Sequence, residues 1–228
     1  MNTAIIVAAG SGSRFGSETP KQFANLHGKP VIIHTIERFE ACDSIDEIVL
    51  VLSASGAEKF QNSKFKIQNS KLQRVVVGGS TRTESVRNGL DAVDPATDIV
   101  AVHDGARPLV SIDEIAQTVA KAAETGAACL VAEVTDTIKE IDVEFISGTI
   151  DRNKLRRALT PQAFRYGVLK RAFDGVDLND SVTDECYLVE RLGVKISFVE
   201  GSGRNIKITK PEDLVFAESI IATGFFSE

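Results

Sequence analysis

Short, continuous apolar runs alternate with segments of helical period through roughly the first 130 residues. Residues 3–8, 47–52, 74–77, 99–103 and 128–133 are dominated by Val, Ile, Ala and Leu and predict strands. Most lack polar alternation, as expected of strands covered on both faces. From Ile112 the period changes. Ile112, Ile115, Ala116, Val119, Ala120 and Ala123 recur at helical spacing and predict an amphipathic helix that buries that face. Ser111 and Glu114 form a capping box at its start, and Gly126 stops it. Thr209 and Glu212 repeat the box ahead of Leu214, Ala217 and Ile221, which predicts the last helix. Strand–helix alternation of this kind implies an α/β fold: one mostly parallel sheet with helices on both faces, spanning residues 1–228 as a single domain.

Two stretches break the rhythm. Residues 61–74, QNSKFKIQNSKLQR, are polar and basic with a near-duplicated QNSK, and predict a surface connection. Residues 134–157 hold two extended pieces, 134–141 and 144–150, joined near Asp142. This protruding β-arm is too long for an ordinary connection, so it is expected to cover the active site or meet a partner subunit.

Composition narrows the class. With 43% hydrophobic and 25% charged residues the chain has the make-up of an ordinary globular protein. No apolar run approaches the ~18 residues of a membrane span, and the first residues carry no basic leader, so a cytoplasmic protein is expected. Cys42, Cys129 and Cys186 are widely spaced and form no CxxC pair, which implies reduced thiols rather than a zinc site. A formal net charge of −6 argues against a nucleic-acid partner. Any anionic ligand must therefore be held by a local cluster of cations.

Such clusters follow three strands. Residues 8–23, AAGSGSRFGSETPKQF, place glycines at 10, 12 and 16 after the first strand, where left-handed backbone angles and close-approaching amides suit a phosphate. Arg14 and Lys21 add positive charge beside them, which suits a triphosphate. A GxxxxGK[ST] loop does not fit, because Lys21 follows Pro20, and a GxGxxG fingerprint fails at Phe15. Residues 78–90, GGSTRTESVRNGL, run from a strand through Gly78 and Gly79 into a helix near Thr81 or Arg82, with Ser80 or Thr81 as cap. In HDGARP, residues 103–108, Asp104 is a carboxylate at a strand end, placed for a magnesium ion or its water shell, and His103 is read as its support. His27 and His34 are read as structural. A nicotinamide dehydrogenase using the GxGxxxG spacing, and a nucleotide sensor without turnover, are the competing classes. The first has a Tyr-x-x-x-Lys spacing at Tyr166 and Lys170, but its second strand ends at Leu52 and Ser53 without the acidic residue a dinucleotide fold would want; the second has no use for separate grips on a second anion.

Taken in order, AAGxGxRxG…PKQF, GGxxRxxSV, VHDGARP, DRNxLxxALTPQ, TDE and NIKIT resemble the 2-C-methyl-D-erythritol 4-phosphate cytidylyltransferase family from residue 3 to about 221. The resemblance implies a Rossmann-like nucleotidyltransferase fold whose β-arm is exchanged across a homodimer. It implies transfer of CMP from CTP to a small phosphorylated polyol, with Mg2+ or another divalent cation as cofactor. In its terms Arg14 and Lys21 contact the triphosphate, and Ala8, Ala9, Gly10, Gly12, Gly79, Ser80, Arg82 and Ser85 form the nucleotide surface. Asp104 stands near ribose and metal. Thr137 and Arg152 reach from the arm into the neighbouring site to hold the acceptor phosphate, and Lys207 orients that phosphate. Arg107, Thr160 and Thr183 are further acceptor-pocket positions. Arg14, Lys21, Arg152 and Lys207 are the expected catalytic set. The ribitol-5-phosphate cytidylyltransferases share the glycine loop, PKQF and NIKIT, but DRNKLRRALTPQ follows the isoprenoid enzyme. Ser80 departs from the Asp frequent in the family.

Overall fold

The computed structural model describes residues 1–10, 15, 20–62, 71–175 and 182–224. Gly12, Arg14, Gly16 and most of the QNSK stretch lie outside the described residues. Along the chain come β1 (Asn2–Ala8), a short 3-10 turn (Lys21–Phe23), β2 (Asn25–Leu26), β3 (Lys29–Pro30), α1 (Val31–Glu40), β4 (Glu47–Leu52), α2 (Ala54–Gln61), β5 (Leu72–Val77), α3 (Arg82–Asp91) and β6 (Ile99–Asp104). There follow α4 (Ile112–Thr125), β7 (Ala127–Glu133), β8 (Ile138–Asp142), β9 (Phe145–Ile150), β10 (Arg156–Arg165), α5 (Tyr166–Asp174), α6 (Glu185–Glu190), β11 (Ser197–Glu200) and α7 (Pro211–Ala222).

Seven strands form one sheet in the order β11-β7-β10-β6-β1-β4-β5. All neighbours run parallel except β10, which lies antiparallel between β6 and β7. Alternation along each strand divides the core. Ala4, Ile6 and Ala8 pack with α1 and α4, whereas Ile5 and Val7 pack with α3, α5 and α6. The chain order turns outward in opposite directions from β1 and β6, so their carboxyl ends flank the crevice where open α/β sheets bind ligands.

The expected elements are present with local corrections. In α4 the buried positions are Glu114, Ile115, Thr118, Val119 and Ala122, while Ala120 and Ala123 face solvent. The helix is rotated from the face that hydrophobicity alone selects, because the Glu114 carboxylate turns inward to accept from the amides of Ser111 (2.8 Å) and Ser202 (2.6 Å). Gly126 ends the helix at φ 95°. In α7 the cap sits one residue later than Thr209: Asp213, not Glu212, accepts from the amides of Thr209 (2.7 Å) and Lys210 (2.8 Å), and Pro211 opens the helix. The arm is a two-stranded hairpin of β8 and β9 that turns at Val143–Glu144, and residues 134–137 are not strand. Strand β10 was not among the expected strands.

Candidate active site

A cavity of about 380 Å³ opens beside the crevice. Its wall joins Ala8, Ala9 and Gly10 after β1, Lys21, Gly79 to Arg82 and Ser85 at the start of α3, Asp104 at the end of β6, and Lys207. Segments up to 200 residues apart thus meet because parallel strands deliver all their following loops to one edge.

The β1 turn is fastened from behind. Gln22, only 2% exposed, donates its amide to the carbonyls of Ala8 (2.9 Å) and Gly10 (3.2 Å). Gly10 does not use the left-handed φ that glycine allows. Gly78 is required by close approach: a Cβ there would lie 2.5 Å from Ala9 Cβ and 2.7 Å from Ser85 Oγ. At the start of α3, Thr81 and Glu84 form a reciprocal capping box. Glu84 Oε2 also accepts from the amide (2.6 Å) and hydroxyl (2.5 Å) of Ser80. A carboxylate therefore stands beside position 80 even though the residue there is serine.

Asp104 is the hub. Its carboxylate accepts from Arg82 Nε at 3.1 Å on Oδ1, and from Lys207 Nζ at 2.9 Å and Arg107 Nε at 3.4 Å on Oδ2. Burial by itself would raise the pKa of this carboxyl, but the charges of Arg82, Lys207 and Arg107 outweigh it and hold the group well below the usual carboxylate range. Arg82 is gripped on its other side by Glu185, wholly buried at the start of α6, through two bonds of 2.6 and 3.0 Å. Burial works against the Arg82 charge; Glu185 and Asp104 more than restore it. With Lys21, and with the Glu84 carboxylate beside Ser80, the named groups are four cations against three carboxylates. The result is a local positive field in a chain of net charge −6.

Arg107 touches the hub without lining the cavity, and its Nη1 donates to the Asn205 carbonyl at 2.8 Å. Thr160 lies behind the hub, 4% exposed, with its hydroxyl engaged inside the protein. Thr137, Arg152 and Thr183 are exposed and are not part of the cavity wall. Arg152 is tied to the carbonyl of Thr135 at the base of the arm. Glu185 and Gln22 were missed as site residues. Each lies in a motif already singled out, TDE and PKQF, but only the folded contacts show what it holds.

The sheet order, the crevice cavity and its cationic hub define an α/β nucleotidyltransferase. Comparison with known proteins makes this particular. The family model described as 2-C-methyl-D-erythritol 4-phosphate cytidylyltransferase (IspD) matches residues 2–223, and the chain belongs to that family. Proteins of that name from Alkaliphilus metalliredigens and Alkaliphilus oremlandii are 40% and 41% identical to it, covering 96% of this chain and 92% and 94% of theirs. The solved 4-diphosphocytidyl-2C-methyl-D-erythritol synthase from Anaerococcus prevotii superposes with a TM-score of 0.85 at 29% identity, over 97% of this chain and 96% of that one. The 2-C-methyl-D-erythritol 4-phosphate cytidylyltransferase of Francisella tularensis gives 0.78 at 33%, over 96% and 98%.

Proposed function

We propose that the enzyme transfers CMP from CTP to 2-C-methyl-D-erythritol 4-phosphate, releasing pyrophosphate. The observation that carries this reading is the cluster of Arg82, Arg107 and Lys207 on one buried carboxylate, at the mouth of a cavity that Lys21 and the glycine turn also line. Such a site suits two phosphorylated ligands brought together. The acceptor's phosphate oxygen attacks the α-phosphorus of CTP, a new P–O bond forms, and the bond to pyrophosphate breaks. A phosphate monoester has a second pKa of ~6, so the nucleophile is already an anion at neutral pH. The protein's task is to bind, align and neutralise, and no general base is required.

Lys21 is assigned to the triphosphate, Lys207 and Arg107 to the acceptor side. The nucleotide's base is assigned to the surface formed by Ala8 to Gly10, Gly79, Ser80 and Ser85. A magnesium ion takes one or two carboxylates and completes its shell with water and substrate phosphates. Asp104 meets this minimal demand: it is ionised, and three cations occupy three of its roughly four acceptor positions. When bound, the ion would neutralise phosphate charge beside Asp104. Thr137 and Arg152 are assigned to the neighbouring subunit's site in a homodimer joined through the arm. Their support is the exposure of the arm and their absence from this chain's own cavity wall. Among the described residues no helix is long and apolar enough to cross a membrane.

The direct test is pyrophosphate release from CTP and magnesium, with 2-C-methyl-D-erythritol 4-phosphate and ribitol 5-phosphate as parallel acceptors. Release with the first alone is expected. Release with ribitol 5-phosphate alone would overturn the acceptor assignment, and silence with both would overturn the reaction.

A further inference from the structure

Behind Asp104, two buried polar side chains form a hydrogen-bonded path whose direction is fixed. The Asp104 amide donates to Thr160 Oγ1 at 3.1 Å, Thr160 Oγ1 lies 3.0 Å from His103 Nδ1, and His103 Nε2 lies 3.1 Å from the Arg107 carbonyl. His103 is fully buried, its ring tilted against Phe39 with centroids 4.8 Å apart. An amide can only donate and a carbonyl can only accept, so His103 must carry its proton on Nε2 to satisfy Arg107. If Nδ1 also carried a proton, Thr160 Oγ1 would receive two donors and its own hydroxyl proton would find no acceptor among the described residues. Nδ1 is therefore bare, and it takes the Thr160 hydroxyl proton.

The two ends of this path lie in one tight turn, closed by the Arg107 amide on the Asp104 carbonyl at 3.0 Å. Thr160 reaches further through its main chain. Its carbonyl accepts from Asn205 Nδ2 at 2.9 Å, the Asn205 carbonyl accepts from Arg107 at 2.8 Å, and the Ile208 amide donates to Ala106 at 2.8 Å. The segment bearing Lys207 is thereby registered on the same turn.

We propose that Thr160 and His103 are positioning residues for nucleotidyl transfer, a one-way hydroxyl–imidazole path that sets the Asp104–Arg107 turn and so places the carboxylate among its three cations. Neither touches substrate. The Thr160 hydroxyl is spent inside the protein, which moves this residue from the acceptor pocket to its support. A pocket group and a positioning group differ in what their loss does. Loss of a positioning hydroxyl lowers turnover more than it weakens either substrate.

The kinetic part rests on the proposed cytidylyl transfer; the protonation part does not, so the two fail separately. Long-range nitrogen–proton correlations of isotopically labelled full-length protein should show His103 with its proton on Nε2 alone. A proton on Nδ1, or on both nitrogens, would overturn the path whatever the protein catalyses. In the pyrophosphate assay, Thr160→Val should lower kcat about tenfold or more, equivalent to about 1.4 kcal/mol, with a smaller change in KM for either substrate. Thr160→Ser, which keeps the hydroxyl, should recover most of that loss. An unchanged kcat in Thr160→Val would overturn the proposal, as would a Thr160→Ser variant equally impaired or a loss confined to acceptor KM. Should the valine variant not fold, Thr160→Ala against Thr160→Ser gives the same comparison.

Discussion

Lys21 shows how a single residue's role follows from its place. It begins the 3-10 turn that also carries Gln22, so one short element both tethers the β1 turn and presents an ammonium to the cavity. A donor aimed at transition-state charge is typically worth ~10²–10³ in rate. Lys21→Ala is therefore expected to lose at least that factor in kcat in steady-state assays, and near-normal turnover would remove Lys21 from the transition state. Asp104 in HDGARP and Arg82 in GGSTR were legible because each stands at a strand or helix end, whereas Lys207, in the loop between β11 and α7, was legible only through the resemblance that NIKIT carries. Their pairing was not. Arg82 and Glu185 are 103 positions apart, and nothing in the spacing says that one carboxylate is buried to hold the other's guanidinium.

At the scale of elements, local rules succeeded where the signal is short-ranged. The box at Ser111–Glu114 and the stop at Gly126 depend on bonds within a turn, whereas the box expected at Thr209–Glu212 forms one residue later, on Asp213. Strand β10 escaped the same reading. Its outer half is charged, Pro161 interrupts it, and its register shifts between Ala158 and Gln162, so it shows neither an apolar run nor alternation. It is a strand because β6 and β7 leave an antiparallel slot between them. The β8–β9 hairpin poses the opposite problem: it exposes Ile141, Val143, Phe145 and Ile146, with Phe145 76% exposed. A lone two-stranded hairpin with an apolar face is marginal in water unless something covers it. A dimer is expected by light scattering at micromolar protein, and Phe145→Asp combined with Ile146→Asp should shift it toward monomer. A wild-type monomer with full activity would exclude the arm exchange. If Arg152 serves the neighbouring site, Arg152→Ala should raise acceptor KM about tenfold or more, about 1.4 kcal/mol in binding, with CTP affinity retained. Collapse of CTP affinity would place Arg152 on the nucleotide instead.

For the whole molecule, burial of imidazoles couples stability to pH. Burial pushes His34 below its ordinary value of 6.5 and His103 down to about 4. Below 6.5 the unfolded chain gains protons on these rings that the fold refuses, so stability falls as pH falls, and for His103 it continues to do so until about pH 4. The His103 share is about 3 kcal/mol. Asp104 adds little in that window: its folded pKa is depressed, so its contribution begins to be lost only as pH nears the ordinary value of 3.8, and the loss continues into stronger acid. Urea midpoints should decline steadily from neutral pH toward about 4, and a flat profile would show that the rings are not buried in neutral form.

The sequence by itself determined the alternation of elements through its first half, both ends of α4 and the residue types that could hold phosphate, because periodicity, capping and motif spacing act within a few residues. The tertiary structure alone decided which strands are neighbours, where β10 inserts, which carboxylate each cation meets and which way the Thr160 and His103 protons point. Those outcomes depend on groups far apart in the chain being desolvated together, and burial sets the strength and direction of each contact only once the sheet has brought them to the same edge.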